Sequence, residues 1–351
     1  MKITNCHIHT FISADIPDRF LPLRLVRWIA RRDHPVARWI LHNLNPFSDN
    51  DSIDKYISFV QTGKSDSQKE VYFKCAENYP TGSRFIILPM DMAYMGCGKV
   101  PRNYYDQLQE IYAQLPTNAI RFIHVDPRRE DMLKNFPNLV QYKGFLGMKL
   151  YPPLGYYPQD QRLLPFYAYC EKYKLPVISH GSPGNPVHFK GSYDELYKLL
   201  DVEGTQAPYK NMSKKDLCAL FTHPDNYKDI LLRYPNLNIC IAHFGSVHWA
   251  RYLKNDFKDN WVSIIISMIE QYPNFWTDIS YTMHDEAYWP MLKILLLTND
   301  KLKNRVLFGS DFYMNEVEGV EKEWSVNFRA YFGEELFTQL AETNPRNFLK
   351  E

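Results

Sequence analysis

A distorted (β/α)8 barrel is the fold class this sequence predicts, and three observations lead to it. Eight short β-rich apolar runs recur along the chain, amphipathic helix-like segments separate them, and 351 residues at 45% hydrophobic content suffice for one elaborated core. Strands separated by crossover-length helical segments pair in parallel, because a tight hairpin cannot join adjacent parallel strands. Eight such units favour a closed barrel over an open doubly wound sheet.

In order, the runs are 2–9, 84–90 ("RFIILPM"), 119–125 ("AIRFIHV"), 145–151 ("FLGMKLY"), 176–180 ("PVISH"), 237–243 ("LNICIAH"), 275–279 ("FWTDI") and 305–312 ("RVLFGSDF"). The helical segments include 104–115, 163–173, 260–272 and 287–297. An ordinary barrel needs about 250 residues, so this chain carries extra sequence. Most of it falls at 10–70, after the first strand, and at 181–230, after the fifth. Both are βα connections, which lie at the C-terminal mouth where barrel active sites form. Without a long linker, internal repeat or low-complexity tract, residues 1–351 read as a single domain.

Composition narrows the function. With 41 basic and 40 acidic residues the formal net charge is +1, so no global field attracts nucleic acid or an anionic membrane. The six cysteines (Cys6, Cys75, Cys97, Cys170, Cys218, Cys240) form no CxxC pair, which suits reduced thiols in the cytoplasm. The Asn-x-Ser matches at Asn50 and Asn211 are then chance. Neither an export signal nor an 18-residue apolar run is present. The partners expected are a small-molecule substrate and, at most, a second copy of the chain as a homodimer.

The chemistry concentrates at strand ends. A random HxH turns up in roughly one chain in three at this histidine frequency, so "NCHIHTF" carries little weight alone. Its placement adds more: on a strand, residues i and i+2 share a face, so His7 and His9 project together while Cys6 and Ile8 face the other side. Two imidazoles side by side can chelate a divalent cation. Strand five ends in Ser179-His180-Gly181, strand six in His243, and strand eight in Asp311, each after an apolar run.

Here the sequence resembles the metal-dependent amidohydrolase superfamily, in particular its amidohydrolase-2 branch, which also contains aminocarboxymuconate-semialdehyde and resorcylate-type decarboxylases. "CHIHTF", "GMKLYPP", "PVISHG", "YPNLNICIAHFGS", "RVLFGSDF" and "ETNPRNFL" fall in the family's order along nearly the whole chain. The resemblance implies that His7, His9, His180 and Asp311 hold one divalent metal ion, most often zinc, with His243 beside it as a catalytic residue or additional ligand. It also implies a distorted (β/α)8 barrel. A metal in an open site lowers the pKa of bound water from about 15.7 to near 7. Asp311 would take a proton from that water, and His243 would polarise a carbonyl or protonate a leaving group.

Lys149, near the end of strand four, is expected to anchor substrate or sit in an ion pair, the alternative being a carboxylated lysine that bridges a second metal. His124 ends strand three without a partner at metal spacing and reads as structural or pocket-lining. Asp278 closes strand seven, either orienting a ligand histidine or capping a helix. The stretch 17–46 holds six arginines (Arg19, Arg24, Arg27, Arg31, Arg32, Arg38) among apolar residues and reads as a helical lid or oligomer contact rather than a membrane-binding helix. His188, Lys190, Tyr193, Tyr209, Lys210 and His223 of the second insertion are candidates for substrate selection. "GCGKV" at 96–100 lacks the residues of a phosphate-binding loop.

The function expected is metal-dependent hydrolysis of a C–N or C–O bond, in an amide, ester or lactone of a small molecule. Non-oxidative decarboxylation of an aromatic or unsaturated acid is the alternative. A non-enzymatic binding barrel with a relict metal site is a third reading, disfavoured by the complete ligand set.

Overall fold

All eight apolar runs become parallel strands in the computed structural model, which describes residues 2–20, 65–185, 187–203 and 207–351. They are β1 (Thr4–Ile8), β2 (Arg84–Ile87), β3 (Ala119–His124), β4 (Gly147–Leu150), β5 (Val177–Ser179), β6 (Ile239–Ile241), β7 (Phe275–Asp278) and β8 (Val306–Leu307). Each pairs with its sequence neighbour, giving the order β1 to β8 in one sheet. The seam between β8 and β1 has no regular ladder. Two backbone bonds close it, Cys6 N–H to the Phe308 carbonyl (2.8 Å) and Asp311 N–H to the His7 carbonyl (2.8 Å).

The connections are helical and begin where capping residues allow. Ser67 accepts from Glu70 N–H to start α1 (Gln68–Ala76), and Asn103 accepts from Tyr105 N–H to start α2 (Tyr104–Gln114). The next helix, α3 (Met132–Lys143), stops at Gly144, whose φ of 63° is the left-handed conformation that a side chain would disfavour. Further crossovers are α4 (Leu164–Lys172), α7 (Trp261–Gln271) and α8 (Trp289–Thr298), while α5 (Tyr193–Leu199) and α6 (Lys214–Phe221) belong to the second insertion. After β8 come α9 (Phe312–Glu318), α10 (Glu321–Phe332) and α11 (Asn344–Leu349).

Two cores result. A large one packs the helices on the outside of the barrel, and a small inner one gathers Cys6, Ile86, Ile120, Phe122, Ile178, Cys240, Trp276 and Leu307. Gly147 faces that interior, and a Cβ there would collide with the Phe122 ring, so the strand tolerates only glycine at this point. Phe348 of α11 enters the inner core, its ring 5.5 Å from that of Trp276, and Asn238 Nδ2 donates to the Phe348 carbonyl (2.9 Å). The last helix therefore stoppers the N-terminal end of the barrel. Asn344, in the "NPRNFL" stretch, anchors it by donating to the carbonyls of Lys303 and Val306.

One expectation about facing needs correction. Between Asn5 and Ile8 the pairing of β1 with β2 slips by one residue, a bulge, so Cys6 and His7 both turn inward and strict alternation fails. The bulge re-aims His7 toward the mouth while Cys6 joins the inner core.

The second insertion builds a satellite core from Phe189, Leu196, Leu200, Leu217, Cys218 and Phe221. Lys190 ties it to the start of the first insertion, its Nζ donating to the Phe20 carbonyl (2.9 Å). The arginine-rich stretch lies, from residue 21 onward, outside the described residues.

Candidate metal centre

At the C-terminal mouth the strand-end residues meet. One ligand atom each from His7, His243 and Asp311 lies within 4.8 Å of the others, and all three side chains are buried. His7 and His243 have ring centroids 5.0 Å apart, and His180 and His243 4.7 Å. His9 Nε2 is 3.9 Å from Asp311 Oδ1. The five residues singled out by the sequence thus share one pocket, with His7, His243 and Asp311 forming its tightest group.

Hydrogen bonds set which nitrogen of each ring faces inward. His7 Nδ1 lies 2.9 Å from Asp278 Oδ2, His9 Nδ1 2.7 Å from the Leu88 carbonyl, and His243 Nδ1 3.0 Å from the Ser280 carbonyl. An acceptor at each Nδ1 fixes the Nδ1–H tautomer and leaves a lone pair on Nε2, the arrangement in which imidazole binds a cation. His180 differs: its Nδ1 is 3.0 Å from His243 Nε2 and its Nε2 is 2.9 Å from Asn185 Oδ1, so protein groups engage both nitrogens. Tyr151 packs on its ring at 4.4 Å.

Asp278 organises much of this. Besides orienting His7 it accepts from His243 N–H (2.9 Å), Ser280 N–H (3.1 Å) and the Ser280 hydroxyl. Burial pushes its carboxyl up, yet the neighbouring His7 and these donors hold it well below the usual carboxylate range. It therefore stays an anion beside the cluster. Burial pushes His9 and His180 well below the ordinary histidine value, and burial with His7 nearby takes His243 down to about 3. Neutral imidazoles are the form that donates a lone pair. Asp311 moves the other way, its carboxyl raised by burial.

Four atoms here are buried without a hydrogen-bond partner among the described residues: His7 Nε2, Asp311 Oδ1, Lys149 Nζ and Asn185 Nδ2. Leaving such groups unpaired costs about 1–3 kcal/mol each, and more for a charge. The donor set therefore fits a divalent cation: one inward imidazole lone pair, at His7 Nε2, and one carboxylate oxygen, Asp311 Oδ1, lack any other partner among the described residues. Lys149 forms no ion pair among the described residues. It is fully buried, and burial takes its ammonium down to about 8 against the pull of Asp278 and Asp311.

Backbone strain collects at the same place. His243, Phe244 and Ser246 after β6, Tyr281 after β7 and Asp311 after β8 all have positive φ, between 36° and 69°. For non-glycine residues this costs about 1–3 kcal/mol each and persists only where the surroundings enforce it. Single-sequence patterns give no signal for it.

The remaining candidates are placed as follows. His124 is buried, accepting from Asp91 N–H at Nδ1 (2.7 Å), packed edge-on against Tyr104 and paired in register with Lys149 on the neighbouring strand. His188, Lys190, Tyr193, Tyr209 and His223 lie in the second insertion, His223 capping a short 3-10 turn at Pro224–Tyr227. Asn5 and Ser280, buried and bonded to His7, and Ser310, buried and bonded to Asn5, support the site without standing out in the sequence. Their only mark is polarity inside apolar strand-end runs.

A family model described as amidohydrolase, of the amidohydrolase-2 type, matches residues 97–350, well over half of the chain. The chain belongs to the amidohydrolase-2 family. The matched segment carries His180, His243 and Asp311, whereas His7 and His9 precede it and join the site through the barrel. No curated protein sequence matches the chain. Among solved structures, a 5-carboxyvanillate decarboxylase from Novosphingobium aromaticivorans with bound manganese is similar at TM-score 0.59 and 13% identity, covering 100% of this chain and 97% of that one. An uncharacterised TIM-barrel protein from Bordetella bronchiseptica matches at 0.55 and 18% identity, over 100% and 99%. A 4-oxalomesaconate hydratase from Rhodopseudomonas palustris matches at 0.51 and 15%, over 99% and 95%. At such identities the likeness is one of fold. The amidohydrolase-2 family is metal-dependent, and its relatives by fold perform more than one reaction.

Proposed function

We propose that this amidohydrolase-2 chain is a single-domain, metal-dependent hydrolase that cleaves a C–N or C–O bond, in an amide, ester or lactone, of a small carboxylated molecule. The observation that carries the reading is the convergence of unpartnered, ligand-ready atoms, His7 Nε2 and Asp311 Oδ1, with His243 within 4.8 Å. In this reading His7, His9, His180 and Asp311 hold one divalent ion, zinc being the first candidate and manganese the second, and His243 stands beside it. His180 takes part by releasing Asn185 or His243. When bound, the ion supplies the positive charge that acidifies water and polarises a carbonyl.

The chain's own groups do the rest. With Oδ1 offered to the ion, Asp311 takes the proton of the attacking water at Oδ2, a role suited to a carboxylate whose proton affinity burial has raised. The proton passes through His243 Nε2 to the departing group, while the Ser280 carbonyl keeps that ring in register. Lys149 anchors the substrate's carboxylate: an ammonium buried without a counter-ion among the described residues is a ready partner for an incoming anion. A second metal at Lys149 is the alternative. All six cysteines are buried and unpaired, which supports a reducing, cytoplasmic setting. No helix among the described residues is long and apolar enough to cross a membrane.

The same Lys149 also favours a second reading, non-oxidative decarboxylation, because a carboxylate held there could be the one that leaves. The test is elemental analysis of protein purified without chelators, followed by a panel of carboxylated amides, esters, lactones and aromatic acids in 18O-labelled water. One metal per chain and 18O in an acid product are expected. Carbon dioxide release without 18O incorporation establishes the decarboxylase instead. Two metals per chain reassign Lys149, and no metal with no turnover sinks the enzyme reading.

A further inference from the structure

The seam between β8 and β1 is where the barrel lacks a ladder, and it is also where His7 and Asp311 must be held at a fixed spacing. Gly309 allows the close approach: a Cβ there would lie 2.9 Å from His7 Cβ. Two backbone bonds cross it. A buried side chain spans it as well.

That side chain is Asn5, fully buried. Its Oδ1 accepts from His7 N–H (3.2 Å) on one strand and Ser310 N–H (3.1 Å) on the other. Its Nδ2 donates to Ser310 Oγ (2.8 Å) and to the Tyr79 hydroxyl (3.1 Å). Two acceptances and two donations use the whole capacity of the amide, which neither a carboxylate nor an apolar group of the same shape can match. Tyr79 in turn donates to Glu321 Oε1 (2.5 Å), and Glu321 Oε2 accepts from Asn315 Nδ2 (2.6 Å). Asn315 N–H donates to the Asp311 carbonyl (3.0 Å), and Asp311 N–H returns to the His7 carbonyl. The bonds form a closed ring around Asp311, at whose φ of 57° the backbone would otherwise relax.

We infer that Asn5, backed by Tyr79 and Glu321, is a positioning residue that clamps β1 to β8 and sets the spacing of His7 and Asp311 for a divalent cation. The inference rests on the metal reading above and adds to it a residue that touches neither cation nor substrate. A network that merely fastens the seam would change stability alone. A clamp that sets ligand spacing changes the affinity and the coordination geometry as well, in the way that outer contacts of metal sites do.

The experiment uses the intact chain stripped of metal, with Zn2+ affinity measured by chelator competition, the visible spectrum of the Co2+-loaded form, and the Tm of the metal-free form. Asn5→Ala is expected to weaken Zn2+ binding about 10- to 100-fold and to shift the Co2+ bands. Tyr79→Phe keeps the ring packing against Phe85 and removes the hydroxyl that accepts from Asn5 Nδ2 and donates to Glu321, and should weaken binding by about three- to tenfold. Wild-type Zn2+ affinity and a wild-type Co2+ spectrum in both variants overturn the inference, even if Tm falls. Should Asn5→Ala not fold, unchanged affinity in Tyr79→Phe overturns it alone. A wild-type chain that binds neither ion sinks the metal reading and the clamp's role with it.

Discussion

At the N-terminal end of the barrel, Phe348 fills the gap beside Trp276 and Cys6, and the Asn238 amide fastens it by the backbone. At the C-terminal end, His7 Nε2, Lys149 Nζ and Asp311 Oδ1 are buried without partners among the described residues, and His243, Phe244, Ser246, Tyr281 and Asp311 hold positive φ. The first arrangement adds stability through apolar contact. The second stores polar desolvation and backbone strain, which the rest of the molecule must offset. Stability and chemistry occupy opposite ends of the same eight strands, so substitutions at the two ends should separate them.

The largest effect is expected at the mouth. Asp311→Asn should lower kcat by about 10²- to 10⁴-fold while leaving circular dichroism unchanged; an active variant removes Asp311 from the proton path. At the opposite end, Phe348→Ala should cost about 3–5 kcal/mol in urea unfolding yet leave Zn2+ affinity intact in the folded fraction. If affinity falls in step with stability, the two ends are not separable.

Lys149→Met sharpens the contrast because its two effects should have opposite signs. Removing an unpaired buried ammonium should raise stability by about 1–3 kcal/mol, while the KM for a carboxylated substrate rises at least about tenfold. A loss of stability would mean that Lys149 has a partner in the folded chain. The smallest effect concerns the second insertion. Burial, with Lys190 and Lys215 adding to it, takes His188 from 6.5 to about 4. Above pH 6.5 the ring is neutral folded or unfolded; below it only the unfolded chain takes the proton, so stability falls as pH drops from 6.5 toward 4. His188→Gln should flatten that part of a Tm-against-pH curve, and an unchanged slope would assign it to other groups.

Much of the fold is legible in residue patterns. Each strand appears within its apolar run, and segments such as 104–115 and 260–272 form α2 and α7 to within a residue at each end. Short parallel strands buried on both faces give continuous apolar signals, and polar residues at their ends stand out against them. Facing is less legible: the bulge in β1 inverts Cys6, because a one-residue slip leaves no trace in composition. The role of Asp278 beside His7, one of two alternatives in the sequence, is decided only by which carboxylate oxygen meets which nitrogen. Asn5, Tyr79 and Glu321 lie up to 316 positions apart and form one chain of bonds, which no local pattern can register. The double engagement of His180 is likewise a matter of side-chain geometry.

The satellite core of the second insertion has a consequence for engineering. Because Phe189, Leu196, Leu217 and Phe221 pack on one another rather than on the inner barrel, the segment behaves as a cassette seated on the rim. Its surface from residue 189 onward can be rewritten while Asn185 keeps its bond to His180 and the spacing of His7 and Asp311 stays as it is. A library confined to this segment would explore new substrates while the reacting groups stay fixed.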